Sequence, residues 1–128
     1  MASFRLVRLG EQLRDEISKL ILQQRIKDPR VSTFLNINRV EIAGDLAYAK
    51  VYVSSFMSEA QVQKGVEGLN SAAGFIQSSI AKKLRIYQFP RLSFVADTSL
   101  KEGFEMVHKL QALEAEENAR RAEQEQPQ

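Results

Sequence analysis

The sequence has no cysteine and no tryptophan, one histidine and only three prolines among its 128 residues. Without cysteine there is no disulfide framework, no thiolate zinc site and no cysteine nucleophile. A single histidine excludes multi-histidine metal centres and leaves little general-base chemistry near neutral pH. Metal and redox catalysis are therefore not expected, and no cofactor is implied. No stretch approaches the roughly 20 apolar residues of a membrane span, and the N-terminal Met1–Ser18 carries charges where a signal peptide would be apolar. The expectation is a cytoplasmic chain without a membrane partner.

What is present is enough for one domain. At 44% hydrophobic residues the chain can close a single core, burying roughly two-thirds of its unfolded surface. The net charge of +2 hides an asymmetry: residues 1–112 hold 16 basic and 11 acidic side chains, whereas residues 113–128 hold 2 basic and 5 acidic. The reading is a basic folded domain over 1–112 and an acidic, flexible tail over 113–128. The tail has no aromatic or β-branched residue with which to dock on a core. A basic domain is compatible with a polyanionic partner.

Leu6, Leu9, Leu13, Ile17, Leu20 and Ile21 recur at helical spacing and predict a long amphipathic helix from Phe4 to Gln24, ended by Asp28-Pro29. Residues 35–42 change alternation phase at Asn38-Arg39, which predicts a strand with a bulge. After Ala43-Gly44-Asp45, a second strand alternates Ala47, Ala49, Val51 and Val53 with Tyr48, Lys50 and Tyr52. Ser58 with Gln61 has the spacing of a capping box. Val62, Val66, Leu69, Ala73, Ile76, Ile80 and Leu84 then keep one helical phase through Gly74, which predicts two helical segments meeting there. A third strand follows Pro90, and Ser99 with Glu102 opens a last helix. The expectation is a two-layer α+β domain, a three-stranded sheet with helices on one face.

Opposite the apolar stripe of the second helix lie Ser71, Gly74, Ser78, Lys82 and Arg85, with Lys83 flanking. A side-chain-free patch beside hydroxyls and cations suits a sugar-phosphate backbone: it allows close approach and neutralises phosphate. The same pattern also fits an ordinary exposed helix face with a glycine tolerated at a bend. Arg5 and Arg8 sit together at the start of the first helix, and Arg25, Lys27 and Arg30 cluster in the loop after it, a second place for such a site. Gly65-Val66-Glu67-Gly68 matches the GXXG backbone clamp, but it falls inside a helix with Val66 on the core stripe, so it reads as helix weakness or close packing. Asp97 and His108 form the weak basis of a hydrolase reading; capping accounts for the first and an ordinary structural or surface position for the second.

Taken in order, Asp45-Leu46-Ala47-Tyr48-Ala49-Lys50-Val51-Tyr52-Val53-Ser54, Ser71-Ala72-Ala73-Gly74-Phe75-Ile76, Leu84-Arg85 through Pro90-Arg91-Leu92-Ser93-Phe94, and Asp97-Thr98-Ser99 closely resemble the bacterial ribosome-binding factor A family. The likeness spans roughly residues 4–110. It implies a type II KH-like domain of order α-β-β-α-(kink)-α-β with a C-terminal helix, in which an Ala-X-Gly turn, matched here by Ala72-Ala73-Gly74, replaces GXXG. It further implies a non-enzymatic factor that binds the immature small ribosomal subunit and its rRNA, assists late maturation and rRNA processing, supports growth in the cold, and works with an assembly GTPase. A monomer is the default. The RNA-binding set expected on these combined grounds is Ser71, Ala72, Ala73, Gly74, Ser78, Lys82, Lys83, Arg85, Arg91, Arg5 and Arg8. The alternative is a protein-interaction adaptor without direct RNA contact.

Overall fold

The apolar spacing of the first two dozen residues becomes α1 (Phe4–Leu22) in the computed structural model, which describes residues 4–125. There follow β1 (Asn36–Ile42), β2 (Tyr48–Ser54), α2 (Glu59–Ser71), α3 (Ala73–Leu84), β3 (Arg91–Ala96) and α4 (Ser99–Glu125). The chain divides into two units between Asp97 and Thr98. In the first, the sheet has the order β1-β2-β3, with β1 and β2 antiparallel and β2 and β3 parallel. The hairpin explains the first pairing; the helical crossover through α2 and α3 returns the chain in the direction β3 needs.

Alternation decides which face of the sheet is covered. Ile37, Ala49, Val51, Val53, Leu92 and Phe94 are buried beneath the helices, whereas Tyr48, Lys50, Arg91 and Ser93 occupy the other phase and are exposed. Leu13, Ile17 and Ile21 of α1 and Leu69, Ile76 and Ile80 of α2 and α3 complete the core. Each such side chain contributes about 1.5–3 kcal/mol by leaving water. The expected bulge is present: the register steps from Ile37 opposite Val53 to Arg39 opposite Tyr52. The extra residue, Asn38, donates to Asp97 Oδ2 at 2.8 Å and accepts from Ser54 Oγ at 2.9 Å, tying the ends of all three strands together.

As an edge strand, β3 has backbone groups that no strand satisfies. The Asn70 carboxamide takes the place of a neighbouring strand, accepting from Phe94 N–H at 2.8 Å and donating to Phe94 C=O at 2.9 Å. Gln77 Oε1 accepts from Leu92 N–H at 3.3 Å. One anchor lies in the last turn of α2 and the other in the second turn of α3, so both arms of the helix pair are fastened to one strand edge.

Close approach of the 28–35 segment to α2 depends on Gly65 and Gly68. A Cβ at Gly65 would meet Leu35 Cδ1 at 2.6 Å, and one at Gly68 would meet Val31 Cγ2 at 2.9 Å. These glycines serve packing, and Ser58 caps α2 through its side chain to Gln61 N–H.

The second unit is α4. Thr98 precedes it, its hydroxyl donating to Glu102 Oε1 at 2.9 Å and its C=O accepting from Glu102 N–H at 2.8 Å. The helix runs across residues 112–113 without a break, because Glu, Ala, Arg and Gln are good helix formers and Arg121 pairs with Glu117 one turn earlier. His108 packs edge-on against Phe104 at 4.6 Å.

Asn70→Ala strips Phe94 of both edge partners and is expected to cost about 1–3 kcal/mol. That is a fall of roughly 4–8 °C per kcal/mol in a thermal melt of a domain this size. Asn70→Asp keeps the acceptor and loses the donor, so its melting point should lie between. Gly68→Ala should be destabilising by about 1–3 kcal/mol in urea unfolding, since its Cβ would also press on Arg30 Cβ and Asp28 Oδ1 at 3.1 Å.

Candidate nucleic-acid interface

The interruption between α2 and α3 falls at Ala72, with φ −93° and ψ 6°. Its N–H donates to the carbonyls of Gly68 and Leu69, and its C=O accepts from Ile76 N–H at 3.0 Å. The sequence suggested a bend at Gly74 itself; instead Gly74 sits in the first turn of α3. The bend needs no glycine because Ala72 occupies the bridge region, open to any residue, and among the described residues no glycine has positive φ. What Gly74 supplies is bare surface: a Cβ built there meets nothing within 4 Å.

The loop after α1 is clamped against this break. Arg30 grips Asp28 through Nε to Oδ1 at 3.0 Å and Nη2 to Oδ2 at 2.8 Å, and its own N–H donates to Oδ1 at 2.9 Å. The same Nη2 reaches Ser71 Oγ at 3.1 Å. Hydrogen bonding from the Arg30 side chain, before any other cause, holds the Asp28 carboxyl at about 2. Because the folded value lies below the ordinary one of 3.8, the clamp is fully charged above that value and is lost only as pH falls through about 2. So anchored, the loop forms a cleft with the break, lined by Arg25, Ile26, Lys27, Pro29, Ala72 and Phe75, with the clamped Asp28 beside them.

The expected residues separate into groups. Ser71 lies at the end of α2, Ala72 and Ala73 are half-buried at the break, and Gly74 and Ser78 are exposed on α3. Lys82 and Arg85 are exposed, with no ion-pair partner among the described residues. Arg85 closes α3 in the left-handed region at φ 54°. Lys83 does not join them. Nine positions from Gly74 is two and a half helical turns, so Lys83 points the opposite way and pairs with Glu16 Oε2 of α1 at 2.8 Å. That hydrogen bond is the main reason the Glu16 carboxyl is held below its usual range.

Arg91 stands on the sheet face turned away from the helices, level with Tyr48. Arg5 and Arg8 are exposed on α1, eleven and eight residues respectively before the Lys83 partner Glu16. That is roughly 12–17 Å along the axis, toward the end opposite the 25–29 loop.

Conversely, the structure unites two places the sequence left as alternatives. Arg25 and Lys27, far from α3 in sequence, share a cleft with Ala72. Phe75, absent from the expected set, joins them with 46% of its surface exposed. The available signal was that Phe75 is a large aromatic outside the apolar stripe, next to Gly74.

The comparisons with known proteins agree with this architecture. A family model described as ribosome-binding factor A matches residues 5–110. Ribosome-binding factor A of Treponema denticola is 60% identical over 114 residues, covering 89% of this chain and 86% of the relative. The solution structure of a Thermotoga maritima protein is similar at a TM-score of 0.65 and 35% identity, over 77% of this chain and 92% of that one. A homology model of Thermus thermophilus ribosome-binding factor A, as fitted into a cryo-electron-microscopy map of a 30S complex, is similar at a TM-score of 0.59 and 26% identity, over 73% of this chain and 96% of that one. On the match across residues 5–110 and the 60% identity to a relative covered almost end to end, this chain belongs to the ribosome-binding factor A family.

Proposed function

We propose that this protein binds the small ribosomal subunit through its rRNA and acts there as a non-enzymatic assembly factor. It assists late maturation and rRNA processing, supports growth in the cold, and works in the cytoplasm as a monomer with an assembly GTPase as its expected partner. The 30S complex of the Thermus relative supports the choice of subunit. The observation that carries the mode of contact is the uncovered Gly74 at the head of α3, where a Cβ would meet nothing within 4 Å beyond its chain neighbours and its own helix backbone. A phosphate backbone can come against the main chain of Ala72-Ala73-Gly74, with Ser71 and Ser78 alongside. Lys82 and Arg85 from α3, and Arg25 and Lys27 from the loop, neutralise the adjoining phosphates. Lys83 positions α3 through Glu16, and Arg5, Arg8 and Arg91 add to the field outside the contact.

A second reading, a protein-interaction adaptor, draws on an exposed pair of rings. Phe34 and Phe56 meet edge-on at 5.5 Å while 56% and 81% exposed. Capture of a protein partner that survives nuclease treatment would favour it.

Gly74→Ala separates folding from contact. Replacing an exposed helical glycine should stabilise the domain by roughly 0.5–1 kcal/mol. The new methyl should nonetheless weaken binding to purified small subunits by about tenfold or more, the scale of one lost charge-assisted hydrogen bond. Unchanged affinity would remove the backbone contact. Four neutralised phosphates predict a slope of log affinity against log salt of about −3, and Lys82→Gln with Arg85→Gln should make it shallower by about 1.5. Both are read by sedimentation binding across a salt series.

A further inference from the structure

The cleft beside the break has a composition that phosphate binding alone does not account for. Its inner wall is apolar, made by Ile26, Pro29, Ala72 and the ring of Phe75, and its cations, Arg25 and Lys27, are exposed. Phe75 is 46% exposed although its chain neighbour Ile76 is completely buried, so the ring offers surface that the core does not use. The volume is about 320 Å³, at the lower end of the roughly 300–1,000 Å³ of small-molecule sites. That suits one flat ring system rather than a row of them. The one carboxylate in the wall, Asp28, is occupied by three hydrogen bonds from Arg30, which also fix the loop in advance of any ligand.

A ligand that matches is planar and aromatic on one side and anionic on the other. We infer that the cleft takes the base of a single unpaired nucleotide, stacked on Phe75, with the flanking phosphates on Arg25 and Lys27. This rests on the reading of RNA as the ligand and deepens it by naming the class: an unpaired position, not a regular duplex. Within a helix both faces of a base are covered by its neighbours, so an aromatic side chain can stack only on a base that has left the helix. Stacking tolerates any base, so the cleft selects for strandedness and not for sequence.

The test uses the full chain and two probes, an eight-nucleotide single-stranded RNA carrying one 2-aminopurine and the same strand annealed to its complement. The single strand should bind at least tenfold more tightly than the duplex, with quenching of the 2-aminopurine. Phe75→Ala should lose roughly 5- to 150-fold of single-strand affinity together with the quenching, the range found for one stacked base. Phe75→Trp should keep both, which separates loss of stacking from loss of fold. Equal affinity for the two probes, or a Phe75→Ala protein that binds and quenches like the parent, overturns the inference. If Lys82→Gln with Arg85→Gln weakens both probes equally while Phe75→Ala does nothing, RNA binding stands and the base-accepting cleft falls. If neither probe binds while purified small subunits still do, the base-accepting cleft falls and the reading of subunit binding stands.

Discussion

The outer edge of β3 is the constraint on which the rest of the molecule depends. Its amides and carbonyls cannot be left bare against the helical layer, and Asn70 and Gln77 satisfy three of them from the last turn of α2 and the second turn of α3. Two helical segments attached to a straight edge at points seven residues apart have their relative course set by that edge. The single residue in bridge conformation, Ala72, is where the course changes. The break is thus a consequence of strand satisfaction, and Gly74 is left free to serve as surface.

A second set of contacts brings a distant part of the chain to the same place. Gly68 lets the loop after α1 lie against α2 at van der Waals distance, and the Asp28–Arg30–Ser71 hydrogen bonds hold it there. Arg30 and Lys83 illustrate how a cation count misleads. Both pair with carboxylates within the domain, whereas Lys82 and Arg85 have no ion-pair partner among the described residues. The side of each element matters as much: Arg91 has the right chemistry but lies across the sheet from α3.

Much of the fold was legible because one face of each element is apolar at the period of its backbone. The stripes from Leu6 to Ile21 and from Val62 to Leu84 end up facing the core, with Leu13, Ile17, Leu69 and Ile76 completely buried, and the phase change at Asn38 became a bulge. The boundary at residue 112 was read from composition, yet helix propensity carries α4 across it, since acidic and alanine-rich sequence can be helical with nothing to pack on. At the site, the glycine, the hydroxyls and the α3 cations were legible from helical phase. Lys83 follows Lys82 in sequence, which places it about 100° further round the helix, where it pairs with Glu16.

The periodicity of side chains by itself determined the elements, their buried faces and the exposure of Gly74, because those follow from the geometry of a helix or strand taken alone. Only the tertiary structure decided that the break falls at Ala72, that Arg25 and Lys27 join it from another part of the chain, and that Lys83 is spent on α1. Each of those depends on a partner distant in sequence, and a hydrogen bond or ion pair across such a distance leaves no periodic trace in the chain.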